Sequence, residues 1–223
     1  MCGRYTITLD ADTVQISLGL AGMPADWQPR YNVAPTQSVA VVASPSERQV
    51  QMMRWGLIPY WAKDIEIGSK LINARSETLL EKPSFRQAFA KRRCLVLADG
   101  FYEWQRGAAA GGRSQPYLFK QKDGAPFAFA GLWEFWRSPE GAEIRSCTII
   151  TCDANAAVSP VHVRMPVMLS GDSLWRWLEP GDPPALQALL QPYPADQMIR
   201  FPVSALVNRP EIDSPELIKP LAA

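Results

Sequence analysis

The chain has 223 residues, of which 47% are hydrophobic and 20% are charged, an ordinary composition for a globular protein of one large domain or two small ones. Lysine and arginine number 23 against 22 aspartate and glutamate residues, for a formal net charge of +1. This balance excludes a protein that coats nucleic acid by its bulk charge, so an anionic ligand has to meet a local basic patch.

The N-terminus and the cysteines indicate where the protein is located and whether it binds a metal. The chain shows no basic segment followed by an apolar run and no stretch of about 18 uninterrupted apolar residues, so we expect no signal peptide, no membrane contact and a cytosolic location. The four cysteines, at positions 2, 94, 147 and 152, are expected to be reduced thiols, with Cys94 and Cys147 buried in strands. Since His162 is the only histidine, the ligands for a zinc site are lacking, and we expect no metal or other cofactor.

Hydrophobic periodicity predicts an opening strand and a short helix. Polar and apolar residues alternate over residues 4–9, which indicates a strand with one buried face that would anchor the N-terminus against the core. Asp10 or Asp12 can cap a short helix over residues 14–18 that is closed by Gly19 and Gly22.

The middle of the chain is dense in strands and turn signals. Three pairs of strands are predicted, each joined by a turn: 38–43 with 49–55, 94–98 with 101–105 around Asp99-Gly100, and 117–121 with 127–132 around Asp123-Gly124. A helix capped by Ser84 is predicted over residues 85–91, and a further strand over 144–151. Such closely spaced hairpins favour an antiparallel sheet that curls toward a barrel.

The last part of the chain mixes helices with one strand. The pattern predicts helices over 172–178 and 184–191 and a strand over 199–203. Pro210, Pro215 and Pro220 predict an irregular tail at about 208–223. The Gly, Ala and Ser residues of 107–115 indicate a flexible loop rather than a domain linker, so we expect one domain over 1–223.

Cys2 is the first candidate for chemistry. Removal of Met1 would leave an α-amine and a thiol on the same residue, and their reference pKa values of roughly 8 and about 8.5 allow both to be partly deprotonated near neutral pH. The amine can condense with an aldehyde to an imine, and the thiol can then close a thiazolidine ring. On its position alone, however, the residue is more simply a cysteine that happens to follow the start codon.

Polar residues at five other positions are candidates for the same site. Asn73 offers an amide, and Arg75 offers a planar fork suited to phosphate, although this segment also reads as a polar junction that caps a helix. Glu103 lies among aromatic residues, where desolvation would raise the pKa of its carboxyl, but strand alternation equally allows an outward position. His162 and Arg164 would share one face of a strand and point into one cleft, although a lone histidine is more often a structural group.

Large aromatic rings alternate with glycine and proline over residues 55–61. Unpaired bases could stack on Trp55 and Trp61, although most tryptophans pack in cores. Aromatic rings interspersed with arginines such as Arg4, Arg75 and Arg164 are typical of a groove for single-stranded nucleic acid.

Together these segments resemble the SRAP family, known as SOS response-associated peptidases and as sensors of abasic sites in single-stranded DNA. The resemblance spans most of the chain and rests on segments that occur in the family's order: Met1-Cys2-Gly3-Arg4, Asn32-Val33-Ala34-Pro35-Thr36, Trp55-Gly56-Leu57-Ile58-Pro59, residues 73–78, Arg93-Cys94-Leu95-Val96, residues 100–104, Gly131-Leu132-Trp133-Glu134 and residues 162–166. Each motif is weak by itself, but their ordered occurrence is highly specific.

The resemblance implies an α+β fold, a single compact domain around a curled, largely antiparallel, barrel-like sheet with flanking short helices. It also implies that the chain is a DNA-protein crosslinking enzyme with lyase-like Schiff-base chemistry, acting as a monomer in the bacterial cytosol or at the nucleoid. The expected partner is single-stranded DNA that contains abasic sites.

The resemblance further implies a role for each candidate residue. Cys2 would link covalently to the aldehyde of the abasic sugar, Asn73 would position the adduct, and Glu103 and His162 would transfer protons during linkage and reversal. The expected DNA contacts are Arg4, Arg75, Arg164, Trp55 and Trp61. The chain departs from the family at Leu97, where many relatives have proline, and at Val163, where an acidic residue is common.

Two other functions remain open at this point. Glutamine amidotransferases of the N-terminal nucleophile class also begin with a cysteine, whose thiol attacks an amide, and a glutaminase assay separates them from the SRAP function. A non-catalytic single-strand binder would keep the arginines and tryptophans, would not need Cys2, and would bind reversibly with a strong salt dependence.

Overall fold

The computed structural model describes residues 2–107 and 114–221 and places thirteen strands and four α-helices in these ranges. The strands are β1 Tyr5–Ile7, β2 Arg30–Val33, β3 Ser38–Val42, β4 Val50–Trp55, β5 Asn73–Arg75, β6 Arg93–Ala98, β7 Gly100–Gln105, β8 Gln115–Gln121, β9 Phe127–Arg137, β10 Glu143–Asp153, β11 Arg164–Pro166, β12 Met168–Leu169 and β13 Met198–Pro202. The helices are α1 Ala11–Leu18, α2 Arg86–Lys91, α3 Asp172–Leu178 and α4 Pro183–Ala188.

Five strands close into a barrel-like ring. They follow the order β10, β4, β3, β6 and β9, and the ring closes because β9 also pairs with β10. The pair of β4 and β10 is parallel, and the other pairs of the ring are antiparallel. Strands β5, β11 and β12 extend this sheet. The α+β class with a curled, largely antiparallel sheet is therefore confirmed.

A second sheet of five strands lies beside the barrel in the order β13, β8, β7, β1 and β2, with every pair antiparallel. One face of this sheet joins the main core through Phe101 and Phe119, whose rings stack 5.0 Å apart. Residues of the other face, such as Tyr102 and Leu118, form a small second core with Leu217 of the C-terminal segment. The sheet thus has apolar cover on both faces.

Two of the predicted hairpins are wrong. Strands β3 and β4 pair as predicted, but β6 lies in the barrel while β7 lies in the second sheet, so Asp99-Gly100 is a crossover between sheets. Asp99 fixes this crossover by accepting hydrogen bonds from Thr6 Oγ1 at 2.6 Å and from the backbone N–H of Thr8 at 2.7 Å. A Cβ on Gly100 would stand only 2.7 Å from Thr6 Oγ1, which explains the glycine.

Strands β8 and β9 also lie in different sheets, although a turn signal separates them. A turn dipeptide indicates where the chain reverses but not which strand it then pairs with. The predicted loop at 107–115 lies for the most part outside the described residues, which stop at Gly107 and resume at Ser114.

Helix boundaries follow the capping chemistry closely at α1. Asp10 is its N-cap and accepts the N–H of Thr13 at 2.9 Å, and Gly19 ends the helix with a φ of 63°. Helix α3 has the predicted bounds. The cap predicted at Ser84 is wrong, because Phe85 is the N-cap residue of α2 and makes no side-chain cap bond.

The C-terminal segment is irregular but firmly held. It consists largely of short 3-10 turns, including Ala205–Asn208 and Pro215–Ile218. The buried Asn32 of β2 donates from Nδ2 to the carbonyls of Arg209 at 2.9 Å and Ile212 at 2.8 Å. Asp213 accepts the backbone N–H of Asn32 at 3.1 Å in return. Hydrogen bonds from β2 therefore hold the C-terminal segment against the second sheet.

Candidate functional site

Cys2 lies just before β1, the strand between β2 and β7 in the second sheet. The residue is 1% exposed, and its carbonyl accepts a hydrogen bond from Asn73 Nδ2 at 2.8 Å. Burial, with a further contribution from the carboxylate of Glu103, raises the pKa of the Cys2 thiol. The thiol is therefore protonated at neutral pH in this environment.

Asn73 opens β5, which runs parallel to β10 and pairs Asn73 with Ile149. Its Nδ2 is committed to Cys2, while its Oδ1 is buried and has no hydrogen-bond partner among the described residues. An unpartnered buried acceptor costs free energy, so it is expected to serve a donor that binds there. The carboxamide thus holds the Cys2 backbone and presents one acceptor beside it.

Glu103 faces the interior. Strand alternation in β7 puts it on the same side as Phe101, and it is 2% exposed. Burial raises the pKa of its carboxyl to about 7. The desolvation predicted from the sequence is confirmed, and the outward alternative is wrong, because the face that carries Glu103 packs on the main core. A carboxyl with a pKa near neutrality can both accept and donate protons.

His162 reaches this group from the segment before β11. Its Nδ1 lies 4.0 Å from Glu103 Oε1 and 3.0 Å from both the backbone N and the backbone O of Arg164. Nδ1 can accept the Arg164 N–H when it is unprotonated and donate to the Arg164 carbonyl when it carries a proton. Burial lowers the pKa of His162. The ring is therefore mostly neutral at neutral pH and can accept a proton at this end of the site.

The shared strand face expected for His162 and Arg164 is wrong, because His162 precedes the strand and its N–H bonds to Val158 as part of a turn. The ring instead lines an open pocket with Trp104, Arg106 and the exposed Val163. Arg106 is a basic residue that the sequence reasoning missed, since it lies in no motif.

The three predicted DNA-contacting arginines have different surroundings. Arg75 is exposed. Arg4 is half-buried and donates from NH1 to Asn32 Oδ1 at 3.0 Å, and to carbonyls of the C-terminal segment. Arg164 is held by the carboxylates of Glu77 and Asp153. The hydrogen bonds of Arg4 go to neutral oxygens, whereas Arg164 forms ion pairs with two carboxylates that compensate its charge locally.

The two tryptophans predicted to contact DNA differ in exposure. Trp55 is 0% exposed, packs its ring 5.3 Å from that of Tyr5 and donates from Nε1 to the Ile72 carbonyl, so the prediction that a base stacks on it is wrong. Trp61 is 47% exposed and lines an open pocket with Tyr60 and Arg86. A ring can stack on a base only where its face is reachable, and among these two Trp61 meets that condition.

The sequence reasoning left several polar neighbours of the site without a role, among them Glu77, Asp153 and Asn32. Each of them contacts a predicted arginine: Glu77 and Asp153 contact Arg164, and Asn32 contacts Arg4. Asn32 and Glu77 lie within segments that resemble the SRAP family, and this position could have indicated that they belong to the site. Asp153 carried no signal, because its pairing depends on the register of β10 and β11.

The described ranges contain no group of three or more His, Cys, Asp or Glu side chains that could hold a metal ion. All four cysteines are free and buried, and Cys94 and Cys147 lie in strands as predicted. Within the part of the chain that the structure covers, no helix is long and apolar enough to span a membrane.

Comparisons with known proteins give a consistent result. The family model described as SOS response associated peptidase (SRAP) matches residues 1–210. The chain is 46% identical to the abasic site processing protein YoqW of Bacillus subtilis (strain 168), over 98% of this chain and 99% of that protein. It is 36% identical to the abasic site processing protein HMCES of Gallus gallus, over 99% of this chain and 78% of that protein.

The fold matches a crystal structure of a protein from Bacteroides thetaiotaomicron. The TM-score is 0.89 at 26% sequence identity, and the match covers 99% of this chain and 100% of that one. The fold with its barrel-like ring and second sheet is therefore shared with an experimentally determined structure.

Proposed function

This chain belongs to the SOS response associated peptidase (SRAP) family, and from that premise we propose that it processes abasic sites in single-stranded DNA by joining them covalently to Cys2. The observation that supports this most is the meeting of four residues from distant parts of the chain. Asn73 bonds to Cys2, the charge of Glu103 acts on the Cys2 thiol, and His162 lies 4.0 Å from Glu103.

The first step is the opening of the sugar. An abasic deoxyribose is mostly a closed hemiacetal, so its aldehyde has to be released before it can react. Glu103 takes the proton of the C1′ hydroxyl and returns a proton to the ring oxygen, which breaks the bond between C1′ and that oxygen. Because the pKa of Glu103 is about 7, the carboxyl can act in both directions near neutral pH.

The second step uses both nucleophiles of Cys2 after Met1 is removed. The α-amine attacks C1′ of the aldehyde, and both amine hydrogens leave with the aldehyde oxygen as one water molecule to give an imine. The thiol then adds to the imine carbon, and its proton passes to the nitrogen, so a C–S bond closes the thiazolidine ring. Since burial keeps the thiol protonated, the amine reacts first.

The remaining residues hold the adduct and the DNA strand. The buried Oδ1 of Asn73 accepts the N–H of the new ring, and His162 relays protons to and from Glu103. Arg4 and Arg75 contact phosphates, and Trp61 supplies a stacking surface. Closing the ring removes the imine, through which β-elimination would otherwise cut the strand.

We further propose that the chain acts as a monomeric single domain in the bacterial cytosol. Removal of Met1 by the protein itself would match the peptidase name of the family.

The direct test is denaturing electrophoresis with a single-stranded oligonucleotide that carries one abasic site. We expect the protein without Met1 to form a band that resists heat and denaturant, Cys2→Ser to lose it, and Cys152→Ser, which changes another buried thiol, to keep it. Binding that is only reversible, or equal linkage by Cys2→Ser, contradicts the proposal.

A further inference from the structure

The guanidinium of Arg164 is enclosed by acceptors. NH1 donates to Glu77 Oε1 and to Asp153 Oδ1, both at 2.6 Å, and NH2 donates to Glu77 Oε2 and to the Thr151 carbonyl, both at 2.8 Å. An arginine side chain has five N–H groups. Four of them are used here, and the fifth, on Nε, is buried. A phosphate can therefore reach the fork of Arg164 only by replacing one of these partners.

The three residues that accept hydrogen bonds from Arg164 differ in how firmly they are held. Glu77 binds with both oxygens, and the hydrogen bonds from Arg164 lower the pKa of its carboxyl to about 2. Thr151 contributes a backbone carbonyl in the middle of β10. Asp153 binds with one oxygen from the end of β10, and its side chain is 88% exposed, against 50% for Glu77 and 13% for Arg164.

Asp153 is accordingly the partner that leaves most easily. Its single exposed contact belongs to the class of ion pairs that contributes little to stability, because water solvates the freed carboxylate. Its position is fixed by strand register, since Asp153 stands directly opposite Arg164 in the pairing of β10 with β11. When the Asp153 carboxylate moves away, one N–H of Arg164 NH1 becomes accessible from the solvent. Glu77 and Thr151 continue to hold the Arg164 guanidinium in the same orientation.

We propose that Asp153 occupies the place of a DNA phosphate on Arg164, and that a phosphodiester oxygen of the bound strand replaces it there while Glu77 stays. This inference rests on the proposed function only in taking single-stranded DNA as the ligand, and it keeps the DNA contact that the sequence predicts for Arg164. Asp153 is then a residue that sets affinity, because every strand that binds has to displace its carboxylate. Glu77 is a positioning residue, because it holds the fork in both states.

The exchange is tested by the affinity for an unmodified single-stranded oligothymidylate, measured by fluorescence anisotropy. Asp153→Asn removes the competing charge with little change of shape, and we expect it to bind about two- to fivefold more tightly, the range that an exposed ion pair supplies. Its salt dependence should be steeper by about 0.7 in the log–log slope, because a phosphate contact is no longer offset by a released carboxylate.

Two variants separate this exchange from a general effect of charge. Glu216→Gln removes one carboxylate from an exposed ion pair with Lys219 in the C-terminal segment and should leave the affinity unchanged. The gain from Asp153→Asn should vanish when Arg164 is also replaced by Gln. A gain that survives without Arg164, an equal gain in Glu216→Gln, or unchanged or weaker binding by Asp153→Asn overturns the inference.

The outcome is independent of the covalent chemistry, because the oligothymidylate carries no aldehyde. If the wild-type protein forms the adduct but Asp153→Asn binds no more tightly, the exchange fails and the proposed function stands. If Asp153→Asn binds more tightly but no adduct forms, the proposed function fails and the phosphate site stands.

Discussion

The carboxyl of Glu103 is buried in an environment that disfavours its charged form. It lies in β7 on the face that packs against the main core, and the resulting pKa of about 7 is well above that of an exposed glutamate. Folding therefore favours the protonated form. Its charged form costs stability, and a pKa near neutrality is what the proposed proton-transfer role requires.

Replacing the carboxyl of Glu103 by an amide should raise the stability of the protein and lower its activity. The unfolded chain releases the Glu103 proton near pH 4.3, whereas the folded protein keeps it to about pH 7. The stabilisation from the bound proton is fully present below about pH 4 and is lost as the pH rises to about 7. Glu103→Gln, which does not titrate, should gain stability relative to the wild type over this range, by up to about 3 kcal/mol at pH 8.

The same variant should form and reverse the adduct about 100-fold more slowly, without the inflection near neutral pH. Urea unfolding at several pH values and single-turnover kinetics measure the two effects. Unchanged linkage rates would remove Glu103 from the mechanism, even if the stability effect were found.

Residues whose environment follows from local pattern were predicted well, and those whose environment depends on packing were not. Aromatic neighbours in β7 correctly indicated that Glu103 is desolvated. The run from Trp55 to Trp61 looked uniform in sequence, yet the first ring is buried and the last is exposed. Glycine and proline mark a change of direction there, but which side of it faces the core is a property of the whole fold.

At the scale of elements, the C-terminal half of β10 organises the site. Strand β5, which carries Asn73, pairs with it on residues 149–151, and β11, which follows His162, pairs on residues 151–153. Strands as short as these carry little pattern of their own, so their register could not be read from the sequence. The positions of Glu77 and Asp153 around Arg164 depend on that register and were missed for the same reason.

The link between β2 and the C-terminal segment should be important for stability. Asn32 is fully buried and bonds to Arg4 and to three carbonyls of the C-terminal segment. Asn32→Ala removes these four hydrogen bonds and takes the Asn32 donor from the Ile212 carbonyl, so we expect the free energy of unfolding to fall by about 1–3 kcal/mol.

The urea midpoint of Asn32→Ala measures this loss, and limited proteolysis shows whether the C-terminal segment becomes more susceptible to cleavage. Glu216→Gln, in the same segment but on the surface, should stay within about 0.5 kcal/mol of the wild type. A midpoint like that of the wild type for Asn32→Ala would mean that apolar packing alone holds the segment.

At the scale of the whole molecule, the candidate site is built from residues far apart in sequence. Cys2, Asn73, Glu103 and His162 come from the N-terminus, both sheets and the segment before β11. Local patterns predicted most strands and helices but misassigned two hairpins, because they do not encode which sheet a strand joins. The grouping of these residues was expected only from the ordered family motifs, and the structure supplies the contacts that those motifs do not contain.

In the proposed reaction the amine and the thiol of Cys2 act together on the aldehyde. The most direct measurement is the NMR spectrum of the adduct formed with an abasic oligonucleotide labelled with 13C at C1′. A thiazolidine gives a tetrahedral C1′ bonded to the nitrogen and sulfur of the N-terminal residue. An imine carbon, a bond to a lysine, or a C1′ bonded to sulfur without nitrogen would contradict the account.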